Sequence, residues 1–333
     1  MALGMLRMAF PRDGAPDMDA RKFNLPIMPH AIDLLHSIPK RLSPIPVLAP
    51  PHLREDEMAK PDPESVVARD ELAASDWDTA LYLKFEDERT QPARDLLARV
   101  RSNARRIVDL GCGPGTSTQL LAARYPDAQI IGVDNSEQML GAARARLPGV
   151  TFEKHDIGGW RPSAKPDLIF ANAALQWLPN HHELVPRLMS FLAEDGCLAI
   201  QMPDNRQEPS HALMRMVAAD GPWADRLVPV AKTRGLIGIY SDYYDWLKPL
   251  SARVEIWQTT YVHPLPGVGA VVDWFRGSGL RPFLNPLDEC EREQFIERYM
   301  KELADAYPAE PGGGLLFLYP RLFVVARKLG AAR

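Results

Sequence analysis

The chain has 333 residues, of which 46% are hydrophobic and 25% charged, a composition typical of a soluble globular protein. Its formal net charge is −4 and no basic segment stands out, which argues against a nucleic-acid partner. No apolar stretch approaches the roughly 20 residues that cross a bilayer, so no membrane partner is expected. Three scattered cysteines, Cys112, Cys197 and Cys290, lack the paired spacing of a disulfide framework or zinc site. We therefore expect a cytoplasmic protein without a metal site.

The first 75 residues differ in composition from the rest of the chain. They hold 11 of the 31 prolines, and their only aromatic residues are Phe10 and Phe23. No hydrophobic periodicity persists there beyond one turn, which predicts a disordered N-terminal extension over 1–75 and a folded domain over 76–333. Met58 offers an alternative translation start, a hypothesis that the intact mass of the natively expressed protein tests. A helix is predicted from Glu88 to Val100.

The stretch Ile107–Gly115, IVDLGCGPG, contains the clearest motif of the chain. Its apolar start predicts a short buried strand, and its three glycines predict a tight turn that lets a ligand approach the backbone. The following residues, Thr116–Arg124, predict a helix whose first amides point into the same cleft. The third glycine comes one residue too early for the dinucleotide fingerprint Gly-x-Gly-x-x-Gly, so a different cofactor is indicated.

Alternating strands and helices continue after this motif. A second strand, 129–134, ends at Asp134, where a doubly wound sheet binds the hydroxyls of a ribose. Asp134 could instead cap a helix, but Ser136 already suits the cap of the helix predicted over 137–147. Further strands are predicted at 150–153, 167–172 and 198–202, and Asn172 ends the fourth strand where ligands bind in such sheets. The pattern predicts an α/β, doubly wound, Rossmann-like sheet that is mostly parallel.

The last third of the chain is less regular. Helical segments at 211–220 and 239–247 predict a helical cap inserted at about 206–250, over the substrate. Strand-like segments at 253–262, 315–319 and 321–326 would complete the sheet.

Four segments, read with the glycine motif, resemble one family, the bacterial trans-aconitate 2-methyltransferases within the class I S-adenosylmethionine-dependent methyltransferases. They are DLIFANAALQWLP (167–179), QMPDN (201–205), GLRPF (279–283) and PRLFVVAR (320–327). The resemblance covers Asp76 to about Leu329. It implies a mixed sheet with an antiparallel terminal strand and transfer of a methyl group from S-adenosylmethionine to a carboxylate of trans-aconitate. The products would be a monomethyl ester and S-adenosylhomocysteine.

The resemblance also implies roles for individual residues. Cofactor contacts are expected from seven residues, with the glycine loop around the methionine part, Asp134 on the ribose, Asp156 facing the adenine and Asn172 beside the methyl group. They are Asp109, Gly111, Gly113, Gly115, Asp134, Asp156 and Asn172. The segment before the first strand lies across the cofactor in this family, which makes Tyr82 a candidate to cover the bound ligands.

A tricarboxylate substrate needs cationic or donor partners in loops at the catalytic edge, and arginine can hold a carboxylate with two parallel hydrogen bonds. The candidates are Arg206, His263, Arg281 and Arg321. No catalytic base is expected, because the acceptor carboxylate is already ionised at neutral pH. Two alternatives stay open: a methyltransferase acting on another small polycarboxylic acid or metabolite, and a catalytically idle cofactor-binding module. The sequence does not define the oligomeric state.

Overall fold

The computed structural model describes residues 84–233 and 237–330, and Tyr82 lies outside these ranges. The described residues form seven strands and ten α-helices. The strands are β1 (Arg106–Leu110), β2 (Gln129–Asp134), β3 (Thr151–Lys154), β4 (Leu168–Asn172), β5 (Cys197–Pro203), β6 (Ser251–Leu265) and β7 (Leu315–Lys328). The helices are α1 (Glu86–Arg99), α2 (Thr116–Arg124), α3 (Glu137–Arg146), α4 (His181–Phe191), α5 (Pro209–Ala219), α6 (Ala224–Thr233), α7 (Tyr240–Leu247), α8 (Val268–Arg276), α9 (Arg281–Leu284) and α10 (Glu289–Ala306).

One sheet contains all seven of these strands, in the order β3-β2-β1-β4-β5-β7-β6. The pairs among β1 to β5 are parallel, whereas β7 is antiparallel to both β5 and β6. The predicted fold class is therefore confirmed, with the antiparallel strand second from the edge and β6 at the edge itself. Because the strand order reverses between β1 and β4, the carboxyl ends of these two strands border the crevice where such sheets bind ligands.

Both faces of the sheet are covered, which explains why its central strands are continuously apolar. All residues of β5 before Pro203 are buried, as expected for a strand between two helical layers. On one face, α1 and α2 pack through residues such as Leu96 and Leu121. On the other, α4 and α7 pack through residues such as Leu188 and Tyr243.

A second core lies beyond the ends of the parallel strands. It joins α5, α6, α8, α9 and α10 to the first half of β7, with Trp274 and Phe317 fully buried at its centre. The segment expected to form one cap at 206–250 thus contributes α5 and α6 to this helical layer, while α7 packs with the sheet. None of the helices in the described part of the chain is long and apolar enough to cross a membrane.

The prediction of two separate strands at 315–319 and 321–326 is wrong, because β7 runs without interruption through Pro320. The carbonyl oxygen of Pro320 accepts from the backbone N–H of Asp204, 2.9 Å away, just past the end of β5. The proline therefore lies one residue beyond the β5–β7 ladder, at a point where β7 pairs only with β6 and Pro320 is opposite Thr260. A missing N–H is tolerated at such a strand edge.

Candidate functional site

The loop between β1 and α2 is folded back onto the end of β2. The backbone N–H groups of Gly111 and Cys112 both donate to the carbonyl oxygen of Val133, at 2.7 and 3.0 Å. Gly111, Gly113 and Gly115 all have positive φ, the left-handed region that other residues rarely adopt. A Cβ on Gly113 would meet nothing within 4 Å. The loop therefore presents bare backbone to an open space.

Asp134 holds this loop in place. One carboxylate oxygen accepts from the N–H of Gly113 and the other from the N–H of Ser136, both at 2.9 Å. Burial raises the pKa of Asp134, while these backbone hydrogen bonds oppose the rise. Ser136 caps α3 through the N–H of Met139, so Asp134 is not needed as the cap. A carboxylate offers about four acceptor positions, so Asp134 can still accept from a ligand.

Asp109 lies at the end of β1 and is completely buried. One of its oxygens accepts from the hydroxyl groups of Ser117 and Thr118, each at 2.7 Å. Its other oxygen has no partner among the described residues. Burial raises the pKa of Asp109 to about 6, the two hydroxyl groups oppose this rise, and the nearby Asp134 charge adds to it. The site thus contains a buried acidic oxygen that lacks a donor.

The ends of β3 and β4 border the same loop. The N–H of His155 donates to the carbonyl oxygen of Asp134, 3.0 Å away, so Asp156 follows directly beside the end of β2. Asp156 is exposed and accepts from the N–H of Gly159 at 3.2 Å. On the other side, the amide oxygen of Asn172 is buried without a partner among the described residues.

The chain turns sharply after Asn172 and returns to the glycine loop. Ala173 has a positive φ of 53°, and its N–H donates to the carbonyl oxygen of Gln201 at 2.9 Å. The next residue, Ala174, contacts Gly111 so closely that a Cβ on Gly111 would lie 2.3 Å from that of Ala174. The seven residues predicted to bind the cofactor therefore lie at or just beyond the carboxyl ends of the neighbouring strands β1 to β4.

This crevice is suited to S-adenosylmethionine. Its unpaired side-chain atoms are acceptors, one each from Asp109 and Asn172, and Asp134 and Asp156 add carboxylates. S-adenosylmethionine is rich in donors and positive charge, with its sulfonium, ammonium, ribose hydroxyl and adenine amino groups. The bare backbone at Gly113 leaves room for a ligand, so the residues present fit this molecule.

Arg321 lies on the adjacent strand, β7, and is only 3% exposed. Its Nη1 donates to the Oε1 of Gln201, 3.3 Å away, and its guanidinium carbon lies 4.6 Å from the ring centroid of Tyr319. Gln201 in turn is the register partner of Asn172 in the β4–β5 ladder. The neighbouring residues Asn172 and Gln201 therefore connect the buried guanidinium of Arg321 with the acceptor-lined crevice.

His263 belongs to the same cluster. It is buried on β6, with its ring 4.9 Å from that of Trp274. Burial and, to a lesser extent, the positive charge of Arg321 lower the pKa of His263 to about 4. The imidazole is consequently neutral at pH 7, and the structure brings two of the predicted substrate residues, Arg321 and His263, together.

The other predicted substrate residues are located differently. Arg206 lies half-buried in the loop between β5 and α5, and burial lowers its pKa. Its charge also lowers the pKa of Arg215 on α5, which places these two guanidinium groups near one another. Arg281 begins α9 in the helical layer, where its neighbours Leu280 and Phe283 are buried.

Several polar residues of the site were not predicted from the sequence. Gln201 interrupts an otherwise apolar strand, a signal that could have identified it. Ser117 and Thr118 lie in the first turn of α2, and their hydroxyl groups hold Asp109. Trp274 gave no signal, because aromatic residues on amphipathic helices usually only fill cores. Among the described residues, no group of three or more His, Cys, Asp or Glu side chains could hold a metal ion.

Comparison with known proteins agrees with this geometry. Residues 107–196 match a family model described as a methyltransferase domain. The trans-aconitate 2-methyltransferase of Methylobacterium nodulans is 56% identical over 255 residues, which are 76% of this chain and 99% of that protein. Proteins of the same name from Variovorax paradoxus and Methylobacterium radiotolerans are 51% and 53% identical, over 76% of this chain and 98% and 99% of theirs. This chain belongs to the trans-aconitate 2-methyltransferase family.

Proposed function

We propose that this protein transfers the methyl group of S-adenosylmethionine to one carboxylate of trans-aconitate. The observation that carries the proposal is the Asn172–Gln201 pair, with an unpaired acceptor on its β4 side and the Arg321 guanidinium on its β5 side. An acceptor-lined crevice suits a cationic methyl donor, and a buried guanidinium suits a carboxylate. The two ligands would meet at this pair.

For the methyl donor, Asp134 would accept from the ribose and Asp156 from the adenine amino group. Asp109 and the glycine loop would surround the methionine part, with Asn172 next to the sulfonium. When bound, S-adenosylmethionine supplies an electrophilic methyl group on a positively charged sulfur.

The chain needs to position the acceptor carboxylate but does not need to activate it. A carboxylic acid with a pKa near 4 is ionised at neutral pH, so no proton has to be removed before attack. His263, with its pKa lowered to about 4, is a poor proton acceptor at pH 7 and contributes a neutral ring. Arg321 would hold a carboxylate that does not react, because a guanidinium on the attacking oxygen would lower its nucleophilicity. Burial of Arg321 and His263 excludes water from this part of the site.

Arg206 and Arg281 are proposed as further contacts from the β5–α5 loop and the helical layer, and Tyr82 as a cover over the ligands. The helices around 206–250 would cap the substrate. We also propose a cytoplasmic location for this protein.

The test supplies labelled methyl donor and a panel of acids to the full chain. Trans-aconitate should give a labelled product that mild base hydrolyses, with kcat/KM above those for cis-aconitate and citrate, because fixed cationic partners select the spacing of carboxylates. Equal values for all three acids would contradict the choice of substrate while leaving carboxyl transfer intact. A base-stable product would indicate another acceptor atom. Binding of S-adenosylhomocysteine without turnover of any acid would indicate an idle module.

A further inference from the structure

Two fully buried N–H groups near Arg321 have no acceptor among the described residues. They are the Nε2 of Gln201 and the Nε1 of Trp274, and both residues are 0% exposed. Neither assignment depends on how an amide was oriented. Gln201 accepts from Arg321 through Oε1, and a guanidinium can only donate. The amide atom of Gln201 that has no partner is therefore the nitrogen, Nε2. The indole nitrogen of Trp274 is a donor in any orientation. Buried donors of this kind are costly and therefore rare.

One aromatic ring connects the surroundings of the two donors. The guanidinium carbon of Arg321, which binds Gln201, lies 4.6 Å from the ring centroid of Tyr319, and the ring centroid of Trp274 lies 5.4 Å from it. Arg321 and Trp274 therefore both lie beside Tyr319, in the part of β7 where the sheet core meets the helical-layer core. A ligand that accepted from both Gln201 and Trp274 would need at least two acceptor groups.

The surrounding charge favours an anion. Arg89 approaches Trp274 from α1, with its guanidinium carbon 5.1 Å from the indole ring, and Arg321 approaches from β7. His263 is neutral and packs against Trp274. The cluster also contains one carboxylate, that of Asp95, which accepts from the hydroxyl group of Tyr261 at 2.5 Å, so the charged groups named here are two guanidiniums and one carboxylate.

We propose that Gln201 and Trp274 are specificity-determining donors for the two carboxylates of the substrate that do not react. Gln201, together with Arg321, binds the carboxylate nearer the crevice, and Trp274 binds the other. This assignment rests on the proposed function. Both donors are closed to solvent in this conformation, so an acid can reach them only after the surrounding side chains move.

The experiment compares Gln201→Glu and Trp274→Phe in the full-length enzyme. Glutamate keeps an oxygen for Arg321 but replaces the donor with a negative charge, and phenylalanine keeps the buried ring but removes the N–H. Trp223→Phe is the matched control, because Trp223 lies in the same helical layer and donates its indole N–H to the carbonyl oxygen of Val217 at 2.8 Å. Each protein is assayed for ester formation and, with S-adenosylhomocysteine bound, for acid binding by calorimetry.

Trans-aconitate is compared with three dicarboxylates, mesaconate, cis-glutaconate and itaconate, each of which lacks a different one of its carboxylates. Trp274→Phe should weaken trans-aconitate binding by about tenfold to a hundredfold, the range for a hydrogen bond to a charged group. The loss should disappear for one of the three dicarboxylates, because the carboxylate that Trp274 contacts is then missing. Gln201→Glu should weaken binding of trans-aconitate at least as much and lose its effect with a different dicarboxylate. Trp223→Phe should bind all four acids as the wild type does.

The inference is overturned if either variant binds trans-aconitate within twofold of wild type, or if its loss is the same for all four acids, as a structural defect would give. These outcomes are separate from failure of the proposed function, in which the wild type itself forms no ester from any of the acids.

Discussion

Gly111→Ala and Gly113→Ala should separate the structural role of the glycine loop from its binding role. Both glycines have positive φ, +69° and +53°, where a Cβ costs roughly 1–2 kcal/mol. A Cβ on Gly111 would also lie 2.3 Å from the Cβ of Ala174, whereas nothing lies within 4 Å of one on Gly113. Overpacking of this kind typically costs about 1–3 kcal/mol in addition.

Gly111→Ala should therefore lower the free energy of unfolding by about 2–5 kcal/mol, and Gly113→Ala by only about 1–2 kcal/mol. Chemical denaturation measures both. Adding Ala174→Gly to Gly111→Ala removes the contact, so it should recover the overpacking part and leave the part due to φ. Gly113→Ala, although the more stable variant, should bind S-adenosylhomocysteine more weakly in calorimetry, because its methyl group occupies the open space at the loop.

Two results would refute this reasoning. Equal stability of the two single variants, with no recovery from Ala174→Gly, would mean that the Gly111–Ala174 contact does not limit the loop. Wild-type affinity of Gly113→Ala for S-adenosylhomocysteine would mean that the open space does not receive the cofactor.

Three other substitutions test the rest of the site. Asp134→Ala should weaken S-adenosylhomocysteine binding by about 1–3 kcal/mol, since it removes an acceptor for the ribose and the anchor of Gly113; calorimetry showing unchanged affinity would exclude this role. His263 has its pKa lowered from 6.5 to about 4, so the unfolded chain binds its proton more readily and folding stability falls as the pH drops through that window. Between about pH 7.5 and 5 the wild type should lose about 2 kcal/mol more stability than His263→Gln, and equal losses in denaturation would contradict the lowered pKa. The kcat of the wild type should show no histidine titration between about pH 6 and 9. If the chemical step is rate-limiting, a titration in that range that vanished in His263→Gln would contradict the mechanism without a base. Arg321→Lys keeps the charge but not the paired donors, so kcat/KM for trans-aconitate should fall by about tenfold or more; a value within twofold of wild type would show that the guanidinium is not required.

The cofactor side of the site follows closely from local sequence. The glycines and the acidic residues at Asp109, Asp134 and Asp156 lie at or beside strand ends, and parallel strands bring their carboxyl ends to one edge. The contact of Ala174 with Gly111 is not predictable in the same way, because it depends on the positive φ of Ala173.

The substrate side depends on pairing between distant segments. Arg321 and His263 meet because β6 and β7 pair in one register, with His263 opposite Phe317 and Thr259 opposite Arg321. Sequence pattern alone does not fix a register in which both strands continue beyond the rest of the sheet. Proline interrupts many strands, so the sequence predicts a break at Pro320, although at this edge position the residue removes no ladder bond with β5.

The long β6–β7 hairpin has a mechanical consequence. The second half of β7 is part of the sheet core, its first half is part of the helical-layer core, and Arg321 lies at the junction. The helical layer therefore cannot swing away as a loosely hinged lid, because its displacement bends a continuous ribbon of two strands. Such a ribbon resists bending elastically and returns to its resting curvature. Displacement is smallest at the pivot of such a bend, so a ribbon that bends at this junction keeps the guanidinium of Arg321 in its position beside the crevice.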